Sequence, residues 1–132
     1  MNADTIRPNH RIQIDDEQQL GSAFHDYRQG SYGAFHFSHA EPYPWLAVLI
    51  NGSVAYIHYF PTEGHAGFQS VAVPAPTGDS QQTVHFLQAG GCEADGFDMP
   101  AYTTVAADLG LAAARQFLHT RSLPKCIRWE EL

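Results

Sequence analysis

From residue 45 the chain carries two apolar runs, Trp45 to Ile50 and Val54 to Phe60, joined by Asn51, Gly52 and Ser53. Both runs are rich in β-branched and aromatic residues, and an Asn-Gly pair supplies the positive φ angles of a type I′ turn, so the spacing predicts a β-hairpin. In the first run Trp45, Ala47 and Leu49 alternate with Leu46, Val48 and Ile50, which makes both faces apolar. Strands of that kind belong in the interior of a sheet rather than at its edge.

The remaining pattern arranges itself around this hairpin. Residues 10–14 read as a short strand or extended lead. Asp15, with Gln18 three residues later, is a capping pattern that opens a helix over 16–28, with Leu20, Phe24 and Tyr27 on one face. Residues 34–40 form a strand, and Pro42 and Pro44 interrupt the chain just after it. Further strands are expected at 68–73 and 83–88, joined by a loop containing Pro74, Pro76 and Gly78. A Gly- and acid-rich loop occupies 89–100.

Val105, Leu109, Ala113 and Phe117 then recur every four residues and predict a helix over 104–120, widened by Leu111 and Leu118 and capped by Thr103 or Thr104. Arg115, His119 and Arg121 cluster near its C-terminal end, where cations complement the helix dipole. Pro124 stops the helix from continuing. The closing CIRWEEL reads as a last strand, with Ile127 and Trp129 facing one way and Arg128 and Glu130 the other. This order predicts an α+β fold, a single domain over 1–132 with residues 1–9 as a loose lead: a largely antiparallel sheet with two main helices packed on one face.

A chain of 132 residues buries about two thirds of the surface of its unfolded form, so neither disulfides nor metal are needed to fold it. The N-terminal residues lack the apolar stretch of a signal peptide, and no run of about 18 apolar residues spans a bilayer, which places the expected location in the cytosol. Two cysteines, Cys92 and Cys126, suit a reducing compartment as small apolar residues.

Charge adds a feature that composition alone conceals. Between Arg28 and Arg115 there is no lysine or arginine, while Glu41, Glu63, Asp79, Glu93, Asp95, Asp98 and Asp108 fall in the same stretch. A surface of one sign favours a cationic partner and repels nucleic acid. The acids in expected loops are Glu63, Asp79, Glu93, Asp95 and Asp98, and Phe97 between two of them is a candidate apolar anchor. These six are the candidate partner-binding residues. Solubility is the plain alternative explanation of the charge.

Motifs for chemistry are sparse. His36 and His39, three apart on a strand, point to opposite faces. His58 and His65 approach across a turn with Glu63 between them, which keeps open a small metal- or His-dependent enzyme using those three residues. No further ligand stands at a recognisable spacing, and no catalytic residue, cofactor site or metal site is assigned. Cys92 stands among acids that raise a thiol pKa, and the chain has no phosphate-binding loop, serine elbow or zinc-deaminase motif. A structural or chaperone-like subunit is the remaining alternative.

The order of these signals resembles immunity protein family one of bacterial polymorphic toxin systems. The resemblance rests on the proline-tryptophan entry to PWLAVLINGSVAYIHYF, the extended segment ending near Gly90-Gly91, the Pro100-to-helix transition, the helix ending in a phenylalanine, and the closing strand from Pro124 to Trp129 and Glu130. It covers residues 20–131. Such a resemblance implies an α+β protein without catalytic activity that binds and neutralises a cognate secreted toxin, often a nucleic-acid deaminase, by covering its active site or substrate groove. The implied partner is one toxin domain per chain, with no nucleic acid and no membrane. Trp45, Trp129 and Glu130 match the family pattern and read as fold-holding positions.

Overall fold

The computed structural model describes residues 3–6, 11–14, 32–38, 43–72, 82–86 and 96–132. In chain order these form β1 (Ala3–Ile6), β2 (Arg11–Ile14), β3 (Tyr32–Phe37), β4 (Trp45–Asn51), β5 (Val54–Phe60), β6 (Phe68–Val71), β7 (Thr83–Phe86), β8 (Phe97–Pro100), a 3-10 turn (Ala101–Thr103), β9 (Thr104–Ala106), α1 (Ala107–Thr120) and β10 (Arg128–Glu131). The main sheet runs β10-β6-β5-β4-β3-β1-β2, with β9 also on β5, while β7 and β8 pair with each other. Each of these pairings is antiparallel.

The expected hairpin is the centre of the fold, in register from Trp45↔Phe60 to Asn51↔Val54. Its turn differs from the prediction by one residue. Gly52 and Ser53 are the central pair, and of these only Gly52 has positive φ, at 60°, the sign pattern of type II′ rather than I′. The expectation of interior strands holds, because β4 is buried on both faces from Leu46 to Ile50.

Each face is covered differently. On one, Phe35, Leu46, Val48, Ile57 and Tyr59 pack against Ala113, Ala114, Phe117 and Leu118 of α1. Onto the other fold β7 and β8, whose Phe86, fully buried, joins Ala34, Leu49 and Tyr56, with Phe97 and Met99 against them. The sequence pattern predicts two helices on one face. A single α-helix, α1, stands among the described residues, and the expected helix over 16–28 lies outside them, as do residues 73–81 and 87–95.

Four local expectations are corrected. Residues 104–106, expected to open the helix, are strand β9, because Val105 pairs in register with Ala55 of β5 and is held extended. The helix starts at Ala107, its N-cap Ala106 gives no side-chain bond, and the Ala107 N–H instead donates to Ser53 O of the hairpin turn at 2.9 Å. Thr103 and Thr104 therefore cap nothing in α1: their hydroxyls donate to Pro100 O and Ala101 O. The end of the acidic loop, Phe97–Pro100, is strand β8. Ala3–Ile6, expected within a loose lead, pairs with β2 and β3 as β1.

The outer edge of β5 is divided between two neighbours. β9 pairs at Val54 to Tyr56 and β6 at His58 and Tyr59, so the ladder is broken at Ile57. Fully buried Ser70 bridges the break: its Oγ accepts the Ile57 N–H at 3.0 Å and donates to Thr103 O at 2.6 Å. Removing one partner of such a pair strands buried backbone groups. Ser70→Ala is expected to lower stability by about 1–3 kcal/mol in urea unfolding, with an unchanged m-value showing that the denatured state is not the cause.

Candidate functional site

Alternation places Trp45, Ala47 and Leu49 of β4, Tyr56, His58 and Phe60 of β5, and His36 of β3 on the sheet face opposite α1. Strands β4 and β5 have seven residues each and β7 and β8 only four. At about 3.3 Å per residue the small hairpin falls roughly 10 Å short of covering that face. It covers the end at Leu49 and Tyr56 and leaves the end at Trp45 and Phe60 half-open.

The uncovered end is a groove of about 440 Å³ lined by these seven residues together with Phe97 and Met99. Across its floor runs a row of packed rings: His36 to Trp45 at 5.3 Å between centroids, Trp45 to Phe60 at 4.6 Å, and Phe60 to His58 at 4.0 Å and nearly parallel. Ala47, opposite both His36 and His58 in the register, supplies the depression, since nothing beyond Cβ fills the space between them. Among the described residues no lysine, arginine or carboxylate lines the groove.

The polar atoms of His58 and Tyr56 make bonds within the protein. His58 Nε2 lies 2.8 Å from Ala66 O, a bond in which only the ring nitrogen can donate, and its Nδ1 lies 3.1 Å from the Tyr56 hydroxyl. Tyr56 also contacts Gln69 Oε1 at 3.0 Å, Gln69 donates to Glu130 Oε1 at 2.7 Å, and the Tyr102 hydroxyl donates to the same oxygen. A polar chain thus runs from the groove across the same face of the sheet to β10. Burial, with a smaller contribution from Tyr102, pushes the Tyr56 phenol up to about 12. Burial also holds the His58 imidazole below its usual value, outweighing the Ala66 carbonyl that favours the cation. Gly67, at φ 96°, keeps this arrangement open, because a Cβ there would stand 2.5 Å from His58 Nε2.

The structure distributes the sequence-predicted residues over several elements. Glu63 is exposed in the turn between β5 and β6. Asp98 is exposed on β8 and pairs with His85 of β7, Oδ1 to Nδ1 at 2.8 Å, on the side of the hairpin away from the groove. Phe97 turns inward beside Phe86, ring centroids 6.4 Å apart, and forms part of the groove wall. Asp79, Glu93 and Asp95 lie outside the described residues.

His58, His65 and Glu63 do not form a ligand set. His65 Nδ1 accepts the Gly67 N–H at 2.7 Å, which places its proton on Nε2, toward Glu131 Oε2 at 3.1 Å. Among the described residues no three His, Cys, Asp or Glu side chains are grouped to hold a metal. Cys126 is partly buried, and that burial pushes its thiol up, away from the thiolate. Sequence reasoning treated Trp45 as structural and missed the groove. The signal was Ala47 amid large residues on the face shared by Trp45 and Phe60.

The four cations whose side chains are described, Arg115, Arg121, Lys125 and Arg128, are exposed on α1, on the segment after it, or on β10. They stand apart from the groove lining. No described helix is long and apolar enough to cross a membrane.

His58 gives a pH signature. Its folded-state pKa lies below the 6.5 of the unfolded chain, so its contribution to stability is complete above that value and is lost as pH falls and the unfolded chain takes up the proton first. Urea midpoints measured downward from pH 7 are expected to drop in the wild type through this window, and the drop is expected to be smaller in His58→Gln.

No curated protein matches the sequence. The model of the family "Immunity protein Imm1" matches residues 9–131, a span that includes the central hairpin, the groove, α1 and β10. With nearly the whole chain covered, the protein belongs to the Imm1 family of immunity proteins, a membership that implies immunity against a toxin and a cognate toxin protein as its partner.

Proposed function

We propose that the chain is a stoichiometric, non-enzymatic inhibitor that binds one toxin domain and covers its active site or substrate groove, in the cytosol of the cell that makes both. The family match over residues 9–131 carries this reading. The toxin is proposed to act on nucleic acid, as a deaminase or another nucleic-acid-targeting enzyme. Supporting this is the stretch from Arg28 to Arg115, with seven carboxylates and no lysine or arginine. A protein that grips nucleic acid presents cations, and an acidic protein is steered onto them.

The contact surface combines two parts. The aromatic groove supplies the apolar centre, and acids on loops supply the polar rim, an arrangement common to specific interfaces. Glu63 belongs to that rim, Asp79, Glu93 and Asp95 are assigned to it from the sequence, and Asp98, which faces away from the groove on β8, adds to the acidic field that steers the partner. Phe97 takes part as a wall of the groove.

Co-purification with the adjacently encoded toxin domain is expected to give a tight one-to-one complex that blocks the toxin's activity. Absence of both binding and protection overturns the reading. Neutralising Asp95 and Asp98 to asparagine is expected to slow association, most at low salt, whereas Trp45→Ala is expected to act chiefly on dissociation and to weaken affinity by about 2 kcal/mol. An association rate indifferent to salt and to the first substitutions rejects charge steering while leaving inhibition standing.

A further inference from the structure

β10 ends the main sheet: it pairs with β6 on one side, and among the described residues no strand pairs with the other. An unpaired edge is a template for another strand, and proteins commonly blunt it with charge. The charges here are not of one sign. Arg128 and Glu130 are both exposed and, two residues apart on a strand, project to the same face of the sheet.

We infer that β10 is the contact strand of a two-fold homodimer, in which the edges of two copies pair antiparallel about Trp129. A two-fold axis perpendicular to a sheet pairs residues of equal parity, because opposed residues share a face. Centred on Trp129, it sets Arg128 of each copy opposite Glu130 of the other, so the interface carries two opposite-charge pairs from one strand sequence. The Glu130 bonds to Gln69 and Tyr102 both use Oε1, leaving Oε2 for the incoming guanidinium.

Trp129 itself lies on the axis, its indole held on its own chain by the bond from Nε1 to Pro124 O at 2.6 Å and by packing beside Tyr59. Helix α1 packs over β4, β5 and β9, and its Gln116 Oε1 accepts the Lys125 and Cys126 N–H groups of the segment that enters β10.

Light scattering coupled to size exclusion on the full chain is expected to give a mass that rises with concentration toward that of two chains. Arg128→Glu, at an exposed position, replaces both attractive pairs by repulsive ones and is expected to raise the dissociation constant at least about tenfold. Glu130→Arg is expected to do the same. An equimolar mixture of the two variants is expected to recover association, because each mixed pair again opposes an acid and a base. A wild type that stays monomeric at its highest soluble concentration overturns the inference, as does a dimer unmoved by Arg128→Glu.

Discussion

Strands β4 and β5 present apolar side chains on both faces, and neither face can be left to water. Burial of five consecutive residues in β4 requires a covering layer above and below. Helix α1 provides one with Ala113, Ala114 and Phe117, whose mixture of small and large side chains lets the helix approach Ile57 and Tyr59 closely. The second layer is the short hairpin β7–β8. Because that hairpin is shorter than the face beneath it, the fold has an aromatic groove at the end of the sheet where Trp45 meets Phe60.

Competition for the outer edge of β5 shapes the other half of the molecule. One strand cannot satisfy the whole edge while β9 leads into the helix, so β6 takes one end, β9 takes the other, and the Ser70 hydroxyl closes the gap. The same constraint fixes where α1 begins. Its first N–H donates to Ser53 of the central turn, which attaches the helix to the hairpin without a side-chain cap. On the opposite face Tyr56, Gln69 and Glu130 form the polar chain that links the groove to β10.

Much of this was legible in the residues. The central hairpin, its interior position, the helix stripe and the closing strand follow from periodicity, because a repeat of 2.0 keeps one face of a strand apolar and a repeat of 3.6 one face of a helix. The misreadings share a cause in long-range pairing. Thr104 to Ala106 has the composition of a helix start yet is extended, because β5 offers it hydrogen bonds. Asn51-Gly52 is a strong turn signal, yet the register carried in from Trp45↔Phe60 places the turn one residue later. Phe97 reads as an exposed anchor amid acids, but on β8 it alternates with Asp98, so one turns inward and the other meets His85 outside. Asp79, Glu93 and Asp95 lie outside the described residues.

The sequence by itself determined which of the described segments form the central strands and the helix, that the central pair is interior, and that the stretch between Arg28 and Arg115 holds no lysine or arginine, since these depend only on residue identity and spacing. The order of signals also pointed to the immunity family that the match over residues 9–131 shows. Tertiary structure alone decided the groove, the polar chain through Tyr56 and the place of β10 at the end of the described sheet. A concavity depends on the difference in length between two packed layers, and an edge depends on which strands fail to find a neighbour. Neither quantity belongs to any one segment of the chain.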